Sequence, residues 1–445
     1  MTSKVTLKKG LDIKLRGSAQ YNEPYEVKPT KCAITADDFR GIIPKVDVKD
    51  GDNVAIGTPL FHDKARPEII VVSPIAGTIE KVVRGERRKL ERIVITPSDS
   101  NECIKLEPKA DNRASAKELL LKSGLWTMLR QRPYDIIPNP DITPRDIFIT
   151  AFDSAPLAPD FSALLIGHES RLVAGVKLLR HLTDGNIYIG TRHGDEFCDI
   201  DGITIVEFNG PHPSGNAGIQ CANIAPVNKG ETVWVLDAIS LMRIGQLVET
   251  GIPPMTTTLA LTGSEVCNPH YITTTIGADI ASLTKGNINE NGRKHRIISG
   301  NVLTGIPVAM DGYLRHPYRH ITVIPEGDDC DEFLGWASLS PSKMSTSRSF
   351  PGHFTKRAFS PDARLQGGRR AMILSGEYDK VLPMDILPEY LIKSIMARDI
   401  DRMEQLGIYE VAAEDFALCE YVDASKLELQ KIVQDGLDYL RNELS

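Results

Sequence analysis

The chain has 445 residues, with 52 Lys plus Arg against 59 Asp plus Glu, a formal net charge of −7. That length predicts about two to four domains, and the acidic balance speaks against nucleic acid as the main partner, because phosphate binding needs a net basic surface. No run approaches the ~20 apolar residues of a membrane-spanning helix, and the opening MTSKVTLKKGLDIKLRG lacks the apolar core of a signal peptide. A chain with no transmembrane segment of its own is expected, cytoplasmic, and free to dock on a membrane protein.

Residues 1–100 read as short strands and turns. Gly51-Asp52 and Gly57 turn the chain around brief apolar strands, and Pro74 and Ala76-Gly77 separate two β-branched runs. Over about residues 28–96 this pattern resembles the barrel-sandwich domain of biotinyl and lipoyl carriers. Lys64 does not sit at the apex of a tight symmetric hairpin, and Pro67 distorts the return, so a structural domain of that shape is expected rather than a swinging arm.

A linker at 101–112 leads into a second domain, residues 101–254. Residues 115–130 read as a helix that runs into Trp126, Arg130, Arg132, Pro133 and Tyr134. Strands at 146–150, 186–190, 203–207 and 232–236 alternate with helices at 172–182 and 237–249, the second closing at Gly251. Such alternation implies a parallel sheet and a Rossmann-like α/β unit. It has no G-x-G-x-x-G and no G-x-x-x-x-G-K-[ST]. The nearest stretch is 210–218, where the glycines are widely spaced and Pro211 and Pro213 lack amide hydrogens.

Residues 255–330 return to strands around a short helix at 278–283, which suggests a small β-grasp (SLBB-like) domain. Residues 331–445 begin with Ser/Gly/Pro-rich loops at 338–368 and end helically. One helix is expected over 388–406, stopping at Gly407. A capping box, Ser425 with Glu428, opens another. There Leu429, Ile432, Val433, Leu437, Leu440 and Leu444 form a stripe read as core. The expected architecture is thus multidomain α/β plus β, with barrel-sandwich, Rossmann-like, β-grasp and C-terminal helical regions.

Several chemistries find no support. The seven cysteines are scattered without a CxxC. His316 with His320 and His193 with Cys198 lack a third ligand at sensible spacing, so no metal site is expected. No nucleophile motif of recognisable type occurs, and no catalytic residue or covalently bound cofactor is expected. Trp126, Arg130, Arg132 and Tyr134 suit a flat, partly apolar ligand whose carbonyl an arginine polarises; they equally suit the anchoring of a helix end. His212, Ser214 and Asn216 suit contact with an anion or carbonyl, or a rigid turn.

Further stretches point the same way: Lys9-Gly10-Leu11-Asp12, Ser123-Gly124-Leu125-Trp126-Thr127, Gly210-Pro211-His212-Pro213, Ile298-Ser299-Gly300, Phe333-Leu334-Gly335-Trp336-Ala337, Thr346-Ser347-Arg348-Ser349-Phe350 and Val381-Leu382-Pro383-Met384. In this order they resemble the A-subunit family of bacterial Na+-translocating NADH:quinone oxidoreductases. The resemblance implies a peripheral subunit on the cytoplasmic face of the inner membrane, partnered by five others and inactive when isolated. The complex oxidises NADH, passes electrons through FAD, FMN and iron–sulfur centres on other subunits, reduces ubiquinone or menaquinone, and exports Na+. More distant relatives hold two 4Fe–4S clusters through repeated cysteine runs. Here the C-terminal helical region offers Cys419 alone, so no redox centre is expected. Two readings stay open: a quinone site built from the seven residues above, or a scaffold with no quinone site.

Overall fold

The structure is a computed structural model that describes residues 2–197, 199–328, 340–345, 350–355 and 357–444. Cys198, Cys330 and the stretches 333–337 and 346–349 read above lie outside the described residues. After two strands that belong elsewhere, β1 (Thr2–Thr6) and β2 (Tyr25–Glu26), the barrel-sandwich is made of β3 (Cys32–Thr35), β4 (Pro44–Val46), β5 (Asn53–Val54), β6 (Pro59–Asp63), β7 (Ile70–Val72), β8 (Gly77–Arg84) and β9 (Leu90–Pro97). Its sheets, ordered β3-β9-β8-β5 and β4-β6-β7, share one core of Leu60, Phe61, Ile79, Ile93 and Ile95. Lys64 is exposed in the β6–β7 connection. The 101–112 segment is pinned to both domains it joins: the Ile104 amide donates to the Ile56 carbonyl at 2.8 Å and the Leu106 amide to that of Gly251 at 2.7 Å.

The second domain contains α1 (Arg113–Lys122), β10 (Arg130–Arg132), β11 (Ile147–Thr150), α2 (Phe161–Leu165), α3 (Glu169–Arg180), β12 (Ile187–Thr191), β13 (Thr204–Asn209), α4 (Ala217–Ile224), β14 (Val233–Asp237) and α5 (Ala238–Thr250). The expected helix at 115–130 stops at Lys122, because Gly124 turns left-handed at φ 74. A 3-10 turn, Leu125–Met128, follows, and residues 130–132 become an antiparallel edge strand on β14. The sheet runs β1-β13-β12-β11-β14-β10, and β1 pairs parallel to β13 with Thr2 opposite Ile205. The strand order reverses around β11, which has β12 on one side and β14 on the other, so the carboxyl ends of these strands frame the crevice where open α/β sheets take ligands.

The third domain folds as β15 (Thr256–Thr262), β16 (His270–Thr275), α6 (Ile280–Thr284), β17 (His295–Ser299), β18 (Ile306–Val308) and β19 (His320–Pro325), with β2 added to the edge of its sheet. The C-terminal region holds α7 (Tyr378–Val381), α8 (Pro388–Ala397), α9 (Ile400–Gln405), α10 (Ala417–Val422) and α11 (Leu429–Leu444). The single helix expected over 388–406 is two, broken where Arg398 adopts φ 54. The expected capping box at Ser425 is absent. That hydroxyl donates to Ala371, Lys426 sits at φ 57, and α11 begins only at Leu429.

One buried residue, Asp38, ties three domains. Asp38 of the sandwich accepts from Arg315 Nε (2.8 Å) and the His316 amide (3.0 Å) of the third domain, while its carbonyl accepts from Arg130 Nη2 (3.0 Å) of the second. Among the described residues no helix is long and apolar enough to cross a membrane. Most of the α11 stripe is core, with Leu429, Val433, Leu437 and Leu440 each fully buried and Ile432 partly so, but Leu444 in the last turn is exposed. Leu437→Ala is expected to cost ~2–5 kcal/mol by leaving a cavity, whereas exposed Asp435→Ala stays within ~0.5 kcal/mol; urea unfolding midpoints of the two variants check the contrast.

Candidate functional site

The seven residues singled out by sequence fall into three places. Trp126 lies on the 3-10 turn after α1, fully buried, with Nε1 donating to the Pro138 carbonyl at 3.0 Å. Its ring meets Trp234 of β14 edge to face, 5.1 Å between centroids. Both indoles line a cavity of about 710 Å³, walled by Ile70, Leu121, Pro140 and Leu182. Its rim is mixed in charge, Arg113, Lys117 and Lys122 standing with Glu68, Glu118 and Asp141; Lys122 pairs with Glu118 at 2.6 Å and Lys117 with Asp141 at 3.7 Å. Trp234 Nε1 is buried without a hydrogen-bond partner among the described residues.

Arg130 and Tyr134 are not in that wall. Arg130 reaches the Asp38 carbonyl at the domain junction. Tyr134 is half-buried at φ 83 against the C-terminal core, and burial raises its phenol above the ordinary value.

Arg132 joins the other group. It is 1% exposed, and Nη1 donates to Asp415 at 2.9 Å while Nη2 donates to Glu414 at 2.7 Å. Burial works to lower the guanidinium pKa, but the facing Asp415 and Glu414 outweigh it and hold the charge. For Asp415, burial drives the carboxyl upward and Arg132 opposes it. A guanidinium taken out of water without such partners costs several kcal/mol.

The loop after β13 meets the backbone that carries these carboxylates. Asn216 Nδ2 donates to the Glu414 carbonyl at 3.3 Å. Ser214 is fully buried and accepts from Arg192 Nη2 at 2.9 Å, and Arg192 stacks over the Phe152 ring at 4.5 Å. His212 Nδ1 pairs with Ser154 Oγ at 3.0 Å, and that hydroxyl also accepts from the Gly215 amide at 2.8 Å. Burial, against the pull of Asp12, holds the His212 imidazole down at about 4. Ser154, Arg192 and the 210–216 loop follow the ends of β11, β12 and β13, so this cluster occupies the strand-end crevice.

Residue types gave away the tryptophan and the loop. The partners Glu414, Asp415, Ser154, Arg192 and Trp234 carry no local signal and were missed. For metals, His316 stacks flat on Phe39 and His320 opens β19; among the described residues no group of three or more His, Cys, Asp or Glu is placed to hold an ion.

Family models match three stretches: the NqrA N-terminal barrel-sandwich hybrid domain over residues 5–98, the NqrA second alpha/beta domain over 111–252, and the NQRA C-terminal domain over 258–309. The chain is 35% identical to the A-subunit of the Na(+)-translocating NADH-quinone reductase of Rhodopirellula baltica across 99% of both chains. It is 33% identical to that of Pasteurella multocida and 34% to that of Neisseria meningitidis serogroup B, across 99% of this chain and 100% of each relative.

Two outcomes are expected from the cluster. Arg132→Met strands Asp415 in the interior and costs ~3–5 kcal/mol, much of it recovered by Arg132→Met with Asp415→Leu; urea midpoints read both. His212 and His320 are each held at about 4 by burial, against an ordinary 6.5. Folded and unfolded chains are then equally neutral above 6.5, and stability is lost as pH falls from 6.5 toward 4, ~1.4 kcal/mol per pH unit for each histidine. His212→Gln removes one share of that slope, measured by urea unfolding between pH 7 and 5.

Proposed function

The chain belongs to the A-subunit family of Na(+)-translocating NADH-quinone reductases, and from that premise we propose that it works as a peripheral subunit on the cytoplasmic face of the bacterial inner membrane, holding quinone and carrying no redox centre. NADH, FAD, FMN and iron–sulfur centres belong on the partner subunits in this reading, and the isolated chain does not turn over. The cysteine arithmetic supports it, since Cys419 has no neighbouring thiol in α10 to share a cluster.

The observation that carries the quinone reading is the cavity over Trp126 and Trp234. Small-molecule sites are concave and mostly apolar, with a few polar groups that fix orientation. The apolar wall, backed by the two buried indoles, suits a flat ring, and the Lys122–Glu118 and Lys117–Asp141 pairs at the rim offer donors to the oxygens at its edge. Ubiquinone and menaquinone headgroups both have that character. Of the residues proposed from sequence, Trp126 alone lines this cavity.

The scaffold reading is favoured by a different observation. The strand-end crevice is closed by the chain's own Glu414 and Asp415, which lock the C-terminal region to the α/β domain. Titration of the full chain with a short-chain quinone, followed by tryptophan fluorescence, separates the two. Saturable quenching is expected. Ala114→Phe, which places bulk on the exposed rim of the cavity without adding an indole, is expected to weaken it about tenfold, equivalent to ~1.4 kcal/mol, with the unfolding midpoint unchanged. A response linear in quinone, the same in both proteins, leaves the scaffold.

A further inference from the structure

We infer that the β8–β9 hairpin of the sandwich is a basic prong that docks this chain on anionic phospholipid headgroups. Residues 81–92 carry Lys81, Arg84, Arg87, Arg88, Lys89 and Arg92 against Glu86 and Glu91 alone, in a chain whose net charge is −7. The inference rests on the reading above that the subunit works at a membrane face, and adds which part of the chain meets the lipid.

Strand register makes the hairpin a projection. β3 runs beside β9 only as far as the pair Thr35 and Arg92, and β5 meets β8 only at Gly77 and Thr78. Residues 84–91 extend past the last of these pairs as a two-stranded ribbon. Its root is fixed, with Leu90 buried in the sandwich core and Lys89 paired to Asp37 at 2.7 Å. Of its two acids, Glu91 lies back against the opposite strand, where a Cβ on Gly85 would stand 2.2 Å from Glu91 Oε1. Lys81, Arg84, Arg87, Arg88 and Arg92 are exposed, and none of them makes an ion pair among the described residues.

The apex holds charge where the backbone alone would not place it. Arg87 and Arg88 are successive left-handed residues, at φ 52 and 60, and the Lys89 amide closes the turn by donating to the Glu86 carbonyl at 3.1 Å. Asn-Gly is the pair at ease in such a turn, and other side chains are strained there. The chemistry favours a bilayer over a protein. A protein footprint needs an apolar or aromatic centre, and residues 84–89 read Arg-Gly-Glu-Arg-Arg-Lys, with no apolar side chain. A polybasic segment is held at an anionic leaflet by charge alone, about fivefold in affinity for each Lys or Arg near the surface.

Sedimentation of the full chain with vesicles of phosphatidylglycerol and phosphatidylcholine, against phosphatidylcholine alone, tests this. Binding is expected only with phosphatidylglycerol, and is expected to fall as NaCl is raised, even though chain and vesicle are both negative overall. Arg87→Asn with Arg88→Gly is expected to weaken it about twentyfold without lowering the urea midpoint, because the new pair suits the turn. Lys8→Gln with Lys9→Gln removes the same charge from an exposed stretch outside the hairpin and is expected to leave binding within about twofold. Absence of binding to phosphatidylglycerol overturns the inference, as does an equal loss in the two double variants. Retention on immobilised polyglutamate without vesicle binding assigns the hairpin to an acidic protein and overturns it too. Vesicle binding that Arg87→Asn with Arg88→Gly retains overturns the role of the hairpin while leaving the membrane-face reading in place.

Discussion

A buried guanidinium has to be met by negative charge, and Arg132 meets that constraint across 283 residues of sequence, at Asp415. Much of the molecule follows from the pairing. It brings the C-terminal helices onto the α/β domain, places the 3-10 turn Ala413–Phe416 over the 210–216 loop, and demands glycine at 218. Asp38 imposes the same requirement near the other end of β10, where Arg315 of the third domain meets its carboxylate and Arg130 donates to its carbonyl. The two arginines of one short edge strand thus address different domains. Gln131, between them, faces the other way, as side chains alternate along a strand, and is itself buried.

What could be read from sequence was what local pattern controls. Four of the six strands of the α/β sheet, β11 to β14, are compact β-branched runs that fold within two residues of the expected bounds, whereas the edge strands β1 and β10 carry no such run and were not expected in it. Asp237 and Gly251 cap α5 as their chemistry suggests, the aspartate accepting from the Ser240 amide. Errors came where one residue's backbone overrode a hydrophobic period. Gly124 ended α1 early, and Arg398 in a left-handed turn split the 388–406 helix. Lys426, also left-handed, kept Ser425 from starting α11. The site was legible by residue type and illegible by partner. Trp126 and the 210–218 loop stand out as unusual composition. Nothing local tells that Trp126 faces Trp234, that Arg132 faces Asp415, or that Arg130 is directed away from both.

The α/β domain therefore presents two concave regions of opposite kind. The crevice at the strand ends, where sheets of this class take their ligands, is packed with Ser154, Arg192, His212 and Ser214 and covered by Asp415. The open cavity lies instead beside α1, against the sandwich, where Ile70 and Glu68 complete its wall. A fold of nucleotide type has closed its usual opening, and its free apolar volume lies at a domain boundary.

The N-terminal segment has a consequence for how the chain is made. Residues 2–6 pair with 205–209, and Tyr25 and Glu26 pair with Ile272 and Thr273. Synthesis delivers this segment well before the strands it pairs with, and its last seat does not exist until about 250 further residues have followed. The sandwich can close on its own strands soon after it emerges, whereas the leading strand must wait unpaired beside it. In order of assembly, then, the beginning of the chain is among its last pieces to be laid down.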